Sequence, residues 1–496
     1  MTVTVKDLSA DQLSAYNTIV GWMRGQSGQP LLSLGGYAGS GKSTLVSLVA
    51  EKVDLPAFCA YTGKATSVLR RKLRAAGTET VGTQRTSRDG EMSREARPYC
   101  GTIHSLIYRP CDCREPKTVE IQKPCLDKDC VAEMAWAEGT AVCTGGHYYD
   151  MAGAAFAALK PKTKFAPAPK HADGACALCG GKEWLRRESL DRNYGLIIVD
   201  EASMVDDSML RDLRGYGVPI LAVGDHGQLP PVGGVGSLMK EPHLRLEKIH
   251  RQAEGNPIIA LSKIIRETGR IPLDMADSEA VTFGKLRFLD QTIEGRYEDV
   301  SAARLLEMGI ACYTNRRRVG LNVAVRRARG IARNGRELPR NGEHVICLRN
   351  MKAEGGRPPV ANGMRGVLQS DVEFRPIVNN RGEKHGVSET QVTGSIAFPE
   401  DDIVSHPYTM LAAQFGREKT FSDPAELAEE TGFHTFSAAG SLFDFGYAMT
   451  VHKMQGSSFD DLVVVAERPG PVGAEDWKKW CYTAVTRAAK KLTVLR

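Results

Sequence analysis

The chain has 496 residues, 42% hydrophobic and 25% charged, a balance that excludes a disordered polymer and allows about three domains. Its formal net charge of +6 is a mild basic bias, compatible with nucleic acid but not requiring it. Met1-Thr2-Val3-Thr4-Val5-Lys6-Asp7 lacks a signal-peptide pattern, and no apolar run reaches the ~18 residues of a membrane helix. A reducing, cytoplasmic setting is expected, in which the 12 cysteines serve as thiols or metal ligands.

In chain order, Ser9-Ala10-Asp11-Gln12 opens a helix as a capping box, with Gln12 three residues after the cap. Leu31-Leu32-Ser33-Leu34 reads as a buried parallel strand. It leads into Gly36-Tyr37-Ala38-Gly39-Ser40-Gly41-Lys42-Ser43, which fits the eight-position phosphate-loop pattern in full. Thr44-Leu45-Val46-Ser47-Leu48-Val49 then opens a helix. Glycines let backbone N–H groups turn inward around phosphates, and the helix N-terminus adds positive potential. Gly36, Gly39, Ser40, Gly41 and Thr44 would surround the ATP phosphates. Lys42 would contact the outer ones, and the Ser43 hydroxyl would ligate Mg2+.

Leu69-Arg70-Arg71-Lys72-Leu73-Arg74 is a basic helix candidate, as are Arg316-Arg317-Arg318 and Arg326-Arg327. Such runs read first as solvated faces, with a nucleic-acid surface as the alternative. Cysteine then concentrates: Cys111, Cys113, Cys125, Cys130, Cys143, Cys176 and Cys179 share one stretch with an Ala-rich helix candidate (Met151 to Leu159) and the Lys/Pro run Lys160 to Lys170. Cys176-Ala177-Leu178-Cys179-Gly180-Gly181-Lys182 has the spacing of a zinc half-site. Cys111, Cys113, Cys125 and Cys130 offer partners, with His147 or His171 as substitutes, so structural Zn2+ is expected. Free surface thiols are the alternative, and the pairing stays open.

Leu196-Ile197-Ile198-Val199 is a second buried strand, closed by Asp200-Glu201. That position suits magnesium at Asp200 and activation of the attacking water at Glu201. Ile220-Leu221-Ala222-Val223 is a third, ending in Gly224-Asp225-His226-Gly227-Gln228. The Gln228 amide both donates and accepts, as a γ-phosphate sensor must. Apolar runs recur at Gly309 to Tyr313 and Leu462 to Val465, which suggests two α/β units in tandem. Between them, about 346–440 is rich in Gly, Pro and short β-like runs.

Taken together, the motifs resemble the superfamily 1B helicases, the RecD-like and Dda-like group. Besides the phosphate loop, they are Ala60-Tyr61-Thr62-Gly63-Lys64-Ala65, Thr102-Ile103-His104-Ser105-Leu106, Val199 to Met204, and Gly224 to Val232. His250-Arg251-Gln252, Tyr313-Thr314-Asn315, Thr450 to Ser457 and Tyr482 to Ala488 follow in the family's order. Met454 departs from the small polar residue that is more usual there.

The resemblance implies an α/β fold of two RecA-like phosphate-loop motor domains. The first would span 1–108 and 191–295, the second 296–345 and 441–496. The Cys-rich insert, 109–190, would stand at the family's strand-separating pin, and a β-rich SH3-like insert would occupy 346–440. Arg251 and Arg487 would be arginine fingers, Gln12 would read adenine unless it serves only the capping box, and Tyr313 and Tyr482 would stack near the nucleotide. Thr62, Lys64, His104 and Ser105 on one motor, with Thr450, His452 and Lys453 on the other, would track single-stranded DNA.

The implied activity is ATP-driven, expected 5′ to 3′ translocation that unwinds forked duplex DNA. A monomer in a bacterial or phage-infected cell is expected, with replication or recombination proteins as possible partners. The alternatives are the motor subunit of an exonuclease complex, a translocase that strips proteins, and a zinc-dependent nucleic-acid binder switched by ATP.

Overall fold

The computed structural model describes residues 4–25, 29–81, 97–110, 117–121, 134–137, 140–143, 148–150, 162–166, 184–230, 238–247, 255–272, 275–331, 337–351, 358–378, 384–433 and 435–496. Two compact units result: Met1–Leu106 with Asp191–Arg496, and Ile107–Leu190.

The larger unit holds two parallel sheets. One has the order Leu244–Leu246, Leu31–Gly36, Ile220–Gly224, Leu196–Asp200, Pro56–Ala60, Tyr99–Thr102, and every pairing is parallel. Parallel strands are covered on both faces, which is why these read as unbroken apolar runs. Leu34, Leu196, Ile198 and Leu221 pack against Leu45 and Val49 of helix Lys42–Ala50 and Ile19 of helix Ala10–Met23. Each fully buried side chain of this kind contributes roughly 1.5–3 kcal/mol.

The second sheet, also all parallel, runs Val281–Gly284, Ala488–Leu495, Phe459–Val465, Met308–Cys312, Ala448–Thr450. It draws in chain that the sequence reading left with the first motor. Val281–Gly284 pairs with Ala488–Leu495, and Leu289, Ile293 and Tyr297 enter the core under Ile310 and Val463. Helix Pro257–Thr268 likewise buries Ile258, Leu261 and Ile265 beside Trp480 and Val485. The second motor therefore begins before 281, not at 296. Its amphipathic helices have no period that betrays which sheet they will cover.

The β-rich segment forms an antiparallel sheet ordered Glu373–Val378, Lys384–Phe398, Arg365–Leu368, His344–Cys347, Phe443–Phe445, with Ile403–Leu411 also on Lys384–Phe398. It extends past 346–440 at both ends, because Val345 and Ile346 pair with Phe445 and Asp444.

Helix Asn315–Ala328 carries the arginine runs, and two of their members, Arg318 and Arg326, are structural. Arg318 bonds the Asp444 carboxylate and the Arg417 carbonyl. Arg326 and Glu343 are wholly buried and paired through Nε–Oε1 at 2.8 Å and Nη2–Oε2 at 3.0 Å. Arg340 N–H and the Tyr447 hydroxyl also donate to Glu343. Replacing Arg326 with Met strands a buried carboxylate and is expected to cost about 3–5 kcal/mol by denaturant unfolding. An unchanged midpoint would show the pair to be idle.

The smaller unit is described through short antiparallel pairs: Tyr108–Pro110 with Trp184–Arg186, Lys117–Ile121 with Lys162–Ala166, and the meander Met134–Ala137, Thr140–Cys143, Tyr148–Asp150. Cys111, Cys113, Cys125, Cys130, Cys176, Cys179 and the Met151–Leu159 helix candidate lie outside the described residues, so zinc stays an expectation from spacing. Among the described residues there is no cluster of three or more His, Cys, Asp or Glu able to hold a metal. The described free cysteines Cys59, Cys100, Cys312, Cys347 and Cys481 are buried. Burial pushes all five thiols up, which keeps them protonated. No described helix is long and apolar enough to cross a membrane.

Candidate nucleotide site and nucleic-acid track

The phosphate loop leaves the strand Leu31–Gly36 and enters helix Lys42–Ala50 through Gly39 and Gly41, at φ of 81° and 80°. Only glycine takes that left-handed backbone without strain. Lys42 Nζ donates to the carbonyls of Gly36 (2.6 Å) and Tyr37 (3.0 Å), holding its charge inside the loop. The Ser40 hydroxyl is buried without a hydrogen-bond partner, an orphan that a phosphate oxygen would satisfy. Ser43 is exposed and Thr44 half-buried in the first turn of the helix.

Gln12 serves the capping box and the phosphate loop at once. Its Oε1 accepts from Ser9 N–H at 3.0 Å, closing the capping box, while Nε2 donates to the Ser40 carbonyl at 3.0 Å. Buried to 2% exposure, Gln12 braces the phosphate loop.

Asp200 and Glu201 close the strand Leu196–Asp200 beside that loop. Glu201 has left-handed backbone at φ 51°, and its N–H bonds Asp200 Oδ1 at 2.9 Å. Strained backbone in a non-glycine residue costs of order 1–3 kcal/mol and gathers at functional sites. Burial pushes the Glu201 carboxyl above its ordinary value, with Arg487 and then Lys42 pulling the other way. Those two cations are thus its electrostatic neighbours.

Gln228 is buried, and its Oε1 has no partner. The loop that holds it is gripped from the second motor: Leu229 N–H donates to Thr483 Oγ1 (3.0 Å), and Gln455 Nε2 donates to the Leu229 carbonyl (3.1 Å). Gly456, at φ 77°, lets the two motors meet, since a Cβ there would stand 2.8 Å from Ala65 Cβ. Among the described residues, the side chain of Arg487, a residue 7% exposed, makes long contacts, to the carbonyls of Thr483 (3.3 Å) and Ser457 (3.4 Å) and to Thr486 Oγ1 (3.4 Å). Arg251 lies outside the described residues. Tyr313 sits in an aromatic cluster of the second motor, 5.6 Å from Trp480 and 6.5 Å from His452 between ring centroids.

The expected track residues divide. His104 is exposed. Ser105 is tied back by its hydroxyl to Thr102 and Tyr99, and Thr62 Oγ1 caps helix Gly63–Ala75 by accepting from Ala65 N–H. Thr450 precedes the short helix Val451–Met454 and is half-buried, as are His452 and Lys453. Burial lowers the His452 pKa, and burial with Arg318 brings Lys453 down to about 8.

Lys64 departs most from expectation. Only 6% of its side chain is exposed, and Nζ pairs with Glu400 at 2.6 Å and Asp401 at 3.7 Å. Arg71 bonds the Glu400 carbonyl and Arg74 reaches Asp402. The basic helix Gly63–Ala75 is therefore clasped by the acidic turn Pro399–Asp401 of the β-rich sheet. Burial opposes ionisation of Glu400, but Lys64 and Arg365 outweigh it and hold the carboxyl below its ordinary value.

Two family models match: an AAA domain over residues 23–234 and a UvrD-like helicase C-terminal domain over residues 445–495. The first covers the phosphate loop, Asp200-Glu201 and Gln228, and the second covers Gln455, Thr483 and Arg487, which face them. The chain is a helicase carrying these two domains.

Solved structures resembling this helicase include Pif1 helicase from Bacteroides in complex with ADP-AlF3 and ssDNA, with TM-score 0.44 and 17% identity, over 98% of this chain and 92% of that one. Pif1 helicase from Candida albicans gives TM-score 0.42 and 16% identity over 99% and 94%. Two coordinating Pif1 helicases at forked dsDNA give 0.43 and 16% over 98% and 91%. At these scores the superpositions add no weight, and the helicase assignment rests on the two family models. No curated protein matches the sequence.

Sequence reasoning gave no role in this helicase to Asp225, Gln455 or Thr483, which tie the motors together. A signal existed for Asp225 and Thr483: each is a polar residue beside an apolar run, where an unpaired polar group would be costly. The Lys64–Glu400 pair had no such signal, being 336 residues apart. A double-mutant cycle on Lys64→Met and Glu400→Gln is expected to return about 0.5–3 kcal/mol of coupling. Strict additivity would show that the clasp contributes nothing.

Proposed function

We propose that this helicase is an ATP-driven motor that moves along single-stranded DNA, 5′ to 3′, and unwinds forked duplex. The observation that carries the reading is the seam between the motors. Lys42, Glu201 and Gln228 stand on one parallel sheet, while Arg487 is brought to Glu201 by the other.

Hydrolysis at that seam would proceed with Lys42 and the loop amides holding the phosphates and Glu201 taking a proton from the attacking water. Gln228 Oε1 would accept the water's other hydrogen, and Arg487 would offset charge developing on the transferred group. Ser43 and Asp200 fit a magnesium ion, whose charge would neutralise the phosphates. Because these groups come from both motors, turnover requires closure, and closure advances the strand. Each base-pair step opened costs a mean of about 1.4 kcal/mol in stacking, so one ATP per step is ample. Contacts to phosphates carry no sequence information, so binding would be indifferent to sequence and weaken with salt.

The test is ATP-driven unwinding of a duplex with either a 5′ or a 3′ single-stranded tail, with Lys42→Ala as control. Unwinding from the 5′ tail alone, lost in the variant, is expected. Unwinding from the 3′ tail alone would overturn the polarity. DNA-stimulated hydrolysis without unwinding would favour a translocase or the motor of a larger nuclease.

A further inference from the structure

Tyr482 lies in helix Ala474–Val485 of the second motor, yet its hydroxyl is spent wholly on the first. It donates to Asp225 Oδ2 at 2.7 Å and accepts from the phosphate-loop N–H of Ala38 at 3.1 Å. The ring, 2% exposed, closes on Gly227, where a Cβ would stand 3.0 Å from the aromatic edge. The other Asp225 oxygen, Oδ1, accepts from Gly227 N–H at 2.9 Å.

Asp225 also governs Gln228. Its carbonyl accepts from Gln228 N–H at 3.2 Å, and its Oδ2 receives Gln228 Nε2 at 3.4 Å. With Nε2 turned to Asp225, Gln228 Oε1 is left as a buried acceptor with no partner. Such a group is costly unless something donates to it, and the attacking water would. Five residues beyond Tyr482, Arg487 Nε donates to the carbonyl of Thr483, which in turn receives Leu229 N–H on its hydroxyl.

From this chain of contacts we infer that Tyr482 is a positioning residue for ATP hydrolysis. It reports the seating of the second motor to Gln228 through Asp225, so the water-orienting amide is set only when the helix leading to Arg487 is docked. Of the phosphate loop, Tyr482 holds the Ala38 N–H alone, which leaves phosphate binding to Lys42 and the amides at the start of helix Lys42–Ala50. Its loss should therefore fall on turnover and spare nucleotide affinity. The inference rests on the hydrolytic roles proposed above for Gln228 and Arg487.

The test uses the full chain with saturating single-stranded DNA, comparing Tyr482→Phe, Asp225→Asn and the double variant. Turnover number and KM for ATP are measured separately, alongside equilibrium binding of a fluorescent ATP analogue. Tyr482→Phe keeps the buried ring and removes one oxygen. It is expected to lower kcat by about 10- to 100-fold, the scale of a small misplacement at a reacting centre, with KM and analogue affinity nearly unchanged. Asp225→Asn should do the same, and the double variant should be no worse than either. A raised KM with kcat intact would overturn the inference in favour of simple loop packing. Multiplying losses would overturn it too, by showing that the two residues act separately. If hydrolysis by the unsubstituted chain ignores single strands, the motor reading fails first and this coupling falls with it. That result is visible without any variant.

Discussion

Arg487→Ala is expected to lower ATP turnover by about 10³–10⁵-fold, the effect of removing an arginine finger. The phosphoryl group in flight spreads negative charge over its oxygens, and a planar guanidinium can meet two of them at once. Arg487 suits this because it is buried but weakly committed, its guanidinium holding carbonyl and hydroxyl oxygens of described residues at 3.3–3.4 Å. An arginine locked to a carboxylate would have to break that pair in every cycle. Arg487→Lys should rescue little, since an ammonium lacks the fork. Nucleotide affinity, measured at equilibrium, should change much less than turnover. A fall in turnover of less than about tenfold would place the finger elsewhere and leave Arg487 as a packing residue.

Glu201→Gln is expected to cost about 10²–10⁴-fold in turnover, the usual contribution of a positioned general base. The pH behaviour separates this role from a structural one. Burial raises the Glu201 carboxyl above its ordinary value, and Arg487 and Lys42 only partly offset that. A base must be ionised to act, so turnover should fall as pH drops through this raised value. The acid limb should lie above the ordinary carboxylate range and vanish in the variant. The sign for stability is opposite. A carboxyl with a raised folded-state value gives up folding free energy as pH rises through it. Glu201→Gln should thus be at least as stable as the parent at neutral pH, by denaturant unfolding. Loss of turnover together with loss of stability would argue against a dedicated base.

These expectations were open to sequence reasoning in unequal measure. The phosphate loop is contiguous, so eight neighbouring residues disclose it, and its strand and helix context can be read locally. The pair Asp200-Glu201 was legible because an apolar run ends on it. Gln12 looked like a choice between a helix cap and an adenine contact. Its amide has two ends, one closing the capping box and the other bracing the Ser40 carbonyl. Lys64 looked like a DNA contact because its motif, Ala60 to Ala65, resembles the family's DNA-facing one, and nothing nearby announced the acidic turn that covers it. The Arg318 and Arg326 runs looked solvated because charge usually is, yet Asp444 and Glu343 draw both inside.

The sequence by itself determined the chemistry and the two-motor plan. Hydrophobic periodicity, glycine placement and acidic strand ends are local properties, written within a few residues of where they act. Tertiary structure alone decided which polar groups face each other. Tyr482 meets Asp225 across 257 residues, and Lys64 meets Glu400 across 336. It also decided where the second motor begins, because Val281–Gly284 belongs to whichever sheet offers it an unpaired edge, and that edge is Ala488–Leu495. Burial set the remaining values, raising Glu201 and lowering Lys453, since desolvation depends on what the whole chain packs around a charge.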